Sequence, residues 1–135
     1  MKICGMELKS NNIILCVIET IDEKINYIDI KTKKLQLNDD ESRDNIISFK
    51  EEVDNFLIKN KIAKIVIKKR AKKGNFAGGA ITFKIESIIQ LNTICDVKFV
   101  TGQAISSFHK KNKIMFPDNL NKYQEQAYLS GLFVV

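Results

Sequence analysis

The sequence predicts an α/β domain: a five-stranded mixed sheet with helices on both faces, in the order three strands, helix, strand, helix, strand, two helices. Three observations carry this expectation. The first 37 residues hold three β-branched runs separated only by short turn chemistry. Beyond them, apolar residues recur at helical spacing, and those segments alternate with two short apolar runs. Such alternation implies right-handed crossovers between parallel strands, which lay helices over both faces of a sheet.

Residues 2–8, 13–20 and 25–37 form the opening meander, with turns at Lys9-Ser10-Asn11-Asn12 and Asp22-Glu23-Lys24. In the third run Ile28, Ile30 and Thr32 share one face and Tyr27, Asp29 and Lys31 the other, so an outer, wet face is expected. Asn38-Asp39-Asp40-Glu41-Ser42 then offers helix N-caps, and Ile46, Phe49, Val53, Phe56 and Leu57 follow on one helical face. These acids lack the glycine and terminal glutamate of an EF-hand, and the helix macrodipole already accounts for carboxylates at that place. A fourth strand, 62–67, leads through a basic loop into a helix from about 80 to 91, with Ile81, Ile85, Ile88 and Ile89 on one side. Residues 96–100 form the fifth strand and 102–111 a short helix capped by Thr101. A last helix, 121–133, has Asn121 and Gln124 at capping-box spacing.

A chain of 135 residues has the size of one domain, 1–135, and no linker, repeat or low-complexity stretch divides it. Hydrophobic content of 44% with a single proline is a globular composition, far from that of disordered chains. Lys2, Glu7 and Lys9 interrupt any signal-peptide core, and the apolar run 13–18 is far shorter than the ~20 residues of a membrane-spanning helix. No membrane partner is therefore expected. Cys4, Cys16 and Cys95 are odd in number, lie in apolar runs and form no C-x-x-C pair, so they read as reduced core residues of a cytoplasmic protein. The apolar tail 132–135 is expected to pack within the chain, with a homodimer as the alternative.

The net charge of +6 is focal: Lys68, Lys69, Arg70, Lys72 and Lys73 supply five of its units within six positions. A focal excess attracts phosphate or an acidic partner, whereas a diffuse one mainly affects solubility. The loop continues through Gly74, Phe76, Gly78 and Gly79 into a helix, so free backbone amides and the positive helix end are expected beside the cations. It matches neither a Walker A loop nor a G-x-G-x-x-G fingerprint. The five cations are read as electrostatic contacts to a nucleic-acid backbone or another polyanion, and Gly74, Gly78 and Gly79 as sites of close backbone approach. Phe76 stacks on a base or anchors the loop to the core; both readings stand. The lone His109, among lysines near a helix end, reads as a surface or dipole-facing residue rather than a catalyst.

The segments Ile3-Cys4-Gly5-Met6-Glu7, Ile65-Val66-Ile67-Lys68-Lys69-Arg70, Lys72-Lys73-Gly74-Asn75-Phe76-Ala77-Gly78-Gly79 and Asn121-Lys122-Tyr123-Gln124-Glu125 resemble an uncharacterised bacterial domain-of-unknown-function family of ribonuclease H-like fold. The resemblance spans essentially the whole chain. Holliday-junction resolvases are more distantly similar, in element order and in a glycine two residues before an acid on the first strand.

In the active nucleases of that superfamily, clustered carboxylates hold two divalent ions, magnesium or manganese, that activate water. The resemblance places Glu7 at the first-strand acid, where aspartate is usual. It places Glu125 at an acid of the last helix, with Gln126 at the more usual acidic position; Glu86 and Asp96 are further stand-ins from other elements, though no spacing sets them facing Glu7. Where the resolvases carry a second acid, this chain has Lys68, whose charge opposes a divalent ion. The expectation is an incomplete metal site, Glu7 paired with a lysine, and a nuclease-inactive domain that binds nucleic acid or another polyanion. The first alternative is a metal-dependent nuclease built on Glu7, Glu125 and Glu86. The second is a protein-interaction module without nucleic acid.

Overall fold

The computed structural model describes residues 1–74 and 79–135. Its strands are β1 (Lys2–Lys9), β2 (Asn12–Ile21), β3 (Lys24–Ile28), β4 (Lys34–Gln36), β5 (Ile62–Lys69) and β6 (Asp96–Thr101). Its α-helices are α1 (Arg43–Lys59), α2 (Ala80–Gln90), α3 (Gly102–Asn112) and α4 (Glu125–Phe133), the last entered through a 3-10 turn at Lys122–Gln124. The sheet runs β3-β2-β1-β5-β6, and β4 pairs with the other end of β2. The β1–β2 and β2–β3 pairs are antiparallel, whereas β1–β5 and β5–β6 are parallel. The carboxyl ends of β1, β5 and β6 therefore share one edge of the sheet.

Alternation along β1 sorts the two cores. Cys4, Met6 and Leu8 face one layer with Ile65 and Ile67, covered by Phe49, Val53 and Leu57 of α1 and Ile85 and Ile89 of α2. Ile3, Val66 and Val100 face the other, covered by Ile105 of α3 and Ala127, Tyr128 and Leu132 of α4. The helix starts follow the expected capping chemistry. Ser42 accepts from Asn45 N at 3.2 Å and Thr101 from Ala104 N at 3.0 Å. Gln124 completes the capping box by accepting from Asn121 N at 3.1 Å, and its buried amide also donates to Leu15 O at 3.0 Å, tying the last helix to β2.

The run expected as one strand over 25–37 is two. Pairing of β2 with β4 is displaced by three residues relative to its pairing with β3, as Val17 faces Ile28 but Ile14 faces Lys34. The three extra residues bulge out where Lys33 bridges to Asp29 at 2.9 Å and donates to Ile30 O. On the face of Tyr27, Asp29 and Lys31 the last two are exposed as expected, but Tyr27 is not left to water. Tyr27 is half-buried, edge-on to Tyr128 of α4, because the last helix reaches across to the sheet edge. Leu132 is buried and Val134 half-buried in the α3–α4 layer, and Phe133 meets Phe108 edge-on. No helix of the described residues is long and apolar enough to cross a membrane.

Candidate functional site

Gly5 makes the site possible. A Cβ at Gly5 would stand 1.8 Å from Ala127 O and 2.9 Å from Gly131 N, so only a residue without a side chain lets α4 press its backbone onto β1. Glu7 lies two residues further on the same face of the strand. The parallel register sets Lys68 directly opposite Glu7, so both side chains leave the sheet toward α4. There Lys68 Nζ donates to Gln126 Oε1 at 2.9 Å and stands 3.6 Å from Glu7 Oε2. Both charged side chains are largely covered, at 21% exposure for Lys68 and 12% for Glu7. Gly102 leaves room for the lysine stem, since a Cβ there would come within 3.3 Å of Lys68 Cε.

Beside this cluster an open groove of about 1200 Å³ runs along the carboxyl ends of β5 and β6. One wall holds Lys68, Lys69, Arg70, Lys72 and Lys73; the other is the start of α3, with Thr101, Gly102, Gln103, Ser106 and Ser107. Crevices outside the carboxyl ends of parallel strands are where open α/β sheets bind ligands. The positive end of α3 adds its first backbone N–H groups to the side-chain cations. Among the described residues, Lys69, Arg70, Lys72 and Lys73 form no ion pair, and no acid lines the groove. Arg70 Nε is buried there without a hydrogen-bond partner among them.

The other expected residues distribute unevenly. Gly74 adopts φ +91, a left-handed conformation that favours glycine, and Gly79 is the N-cap of α2. Neither lines the groove; the helix end that meets the cations is that of α3. Phe76 and Gly78 lie outside the described residues. Glu125 is half-buried in the first turn of α4, one residue and about 100° round the helix from Gln126. Glu86 belongs to α2, on the opposite layer of the sheet from Glu7. His109 is half-buried in the last turn of α3, stacked on Phe116 at 5.4 Å. The far wall, residues 101–107, carries no conspicuous motif. The signal for it was the parallel pairing of β5 with β6, which brings Thr101 level with Lys69.

These side chains do not fit a pair of divalent ions. Of the three that meet, one is a carboxylate, one an amide and one an ammonium, which repels a metal cation. Among the described residues no group of three or more His, Cys, Asp or Glu converges as a metal site.

A family model described as protein of unknown function, DUF3010, matches residues 1–134. The chain belongs to the DUF3010 family. No curated protein matches its sequence. Among solved structures, RuvC of Thermus thermophilus in complex with a Holliday junction substrate is similar with a TM-score of 0.70 at 8% identity, covering 98% of this chain and 91% of that one. The Fowlpox virus resolvase in complex with substrate Holliday junction DNA is similar with a TM-score of 0.58 at 16% identity, covering 98% and 95%. At such identities the likeness concerns the fold. This DUF3010 chain has a ribonuclease H-like α/β fold resembling the resolvases.

Proposed function

We propose that the chain binds the phosphate backbone of a nucleic acid in the groove at the carboxyl ends of β5 and β6, and does not cleave it. The observation that carries this reading is one concave surface lined by five cations and the positive end of α3, with no acid along it among the described residues. Each cation near a phosphate releases a condensed counterion, which drives binding with little sequence preference. Arg70 lines the same wall, and its guanidinium offers a fork of N–H donors suited to phosphate oxygens. Cleavage by the two-ion route lacks its ligand set, since an ammonium and an amide stand beside the one carboxylate. The three free thiols suit a reducing compartment, the cytoplasm.

Fluorescence anisotropy with labelled DNA and RNA duplexes over a salt series tests this. Three to five phosphate contacts give a slope of log affinity against log salt of roughly −3 to −4.5, and K69Q/K72Q/K73Q should flatten it by about 2.7. Salt-insensitive binding, or binding indifferent to those substitutions, overturns the reading in favour of a protein-docking surface. Magnesium-dependent cutting of the same duplexes that disappears in Glu7→Gln would establish a nuclease instead.

A further inference from the structure

We infer that Lys68 is a built-in counter-cation: its ammonium occupies a cation position between Glu7 and Gln126 and bridges them to a phosphate, so that binding in the groove needs no divalent metal. The cation position follows from the geometry alone; only the phosphate contact rests on the polyanion reading above.

Three side chains from three elements converge on one atom, Lys68 Nζ. Glu7 comes from β1, Lys68 from the register position directly opposite on β5, and Gln126 from the helix that Gly5 admits. An ammonium has three N–H donors. One is accepted by Gln126 Oε1 at 2.9 Å, and the charge is balanced by Glu7 Oε2 at 3.6 Å. A further N–H remains for the groove, which Lys68 also lines. A cation held on one side by the protein's oxygens and offered on the other to a phosphate oxygen does the bridging work of a divalent ion. Unlike that ion, an ammonium has no ligand position for water and does not acidify one. Retention without hydrolysis is the chemical consequence. Glu7 and Gln126 act as positioning residues.

Because Glu7 and residue 68 face each other in register, and Gln126 already directs an oxygen at the same point, K68E/Q126E would set three carboxylates around the vacated position. Manganese binding, followed by electron paramagnetic resonance and titration calorimetry without nucleic acid, should be at least about tenfold tighter in K68E/Q126E than in the parent chain, and lost again when Glu7→Gln is added. Manganese should also raise the melting temperature of K68E/Q126E and leave that of the parent unchanged. If the pair of substitutions prevents folding in chelator, Lys68→Glu alone, which keeps the neutral Gln126 oxygen, is titrated in the same way. Variants that bind manganese no better than the parent overturn the inference. In a second arm, duplex binding by the parent chain should agree within about twofold between chelator and magnesium at fixed ionic strength; a requirement for magnesium also overturns it. Absence of any duplex binding would refute the polyanion reading and leave the manganese result to decide the cation position.

Discussion

At the scale of single residues, Gly5 and the buried thiols carry the sharpest consequences. The Cβ of Gly5→Ala would overlap Ala127 O, a backbone atom that moves only if α4 moves. Overpacking of this kind costs about 3 kcal/mol or more, so the melting temperature should drop by roughly 10 °C, and the Lys68–Gln126 contact should be lost with it. An unchanged melting curve would show that α4 does not sit so close. Cys4 and Cys16 are buried, and burial pushes both thiols up, Cys16 from 9.0 to about 12; Cys95, half-buried, reaches about 11. Between the unfolded and folded values the unfolded chain gives up protons that the folded chain retains. The thiols' contribution to stability is therefore fully present below about pH 9 and is lost as pH rises toward 12, by about 1.4 kcal/mol per pH unit for each buried thiol. Urea midpoints measured at about pH 8, 9 and 10 should show the fall, and the C4A/C16A variant a flatter profile.

At the scale of elements, α3 links fold and site. Its start is fixed by the Thr101 cap and its direction by the β5–β6 pairing, so its first turn faces the basic strand end. Gln103→Glu puts a carboxylate into that turn, where the helix dipole favours it by about 0.3–1 kcal/mol. The same charge opposes a polyanion in the groove. The expected outcome is a slightly raised melting temperature together with weaker duplex binding, read by thermal denaturation and anisotropy on one preparation. Stability and affinity moving in the same direction would place the ligand elsewhere. The pair β3 and β4 illustrates the opposite lesson. A β-rich run of 13 residues, 25–37, was long enough for one strand, yet its register against β2 breaks at the Asp29–Lys33 bridge.

At the scale of the whole molecule, five of the 22 lysines and arginines are gathered on one wall at the carboxyl end of β5. Long-range attraction should therefore orient the protein on a polyanion before any contact forms, and association should slow steeply as salt rises. Stopped-flow association rates for a duplex at about 50 and 200 mM salt check this: a large drop in on-rate for the parent chain and a small one for K69Q/K72Q/K73Q are expected. Equal sensitivity of both proteins would mean that the remaining 17 lysines and arginines, not the strand-end cluster, steer the encounter.

Much of this protein was determined by local sequence. Apolar periodicity marked α1 and α2, Ser42, Thr101 and Asn121 with Gln124 marked helix starts, and the density of lysine between 68 and 73 marked the basic wall, because each is a matter of neighbours along the chain. The tertiary structure alone decided which distant residues meet. Lys68 reaches Gln126 across 58 positions, Thr101 stands beside Lys69, and Glu86 lies on the layer opposite Glu7. Strand order and helix approach set those meetings, and both depend on how sheet and helices pack as a whole: a glycine that lets two backbones touch says nothing, in one dimension, about which backbone it will touch.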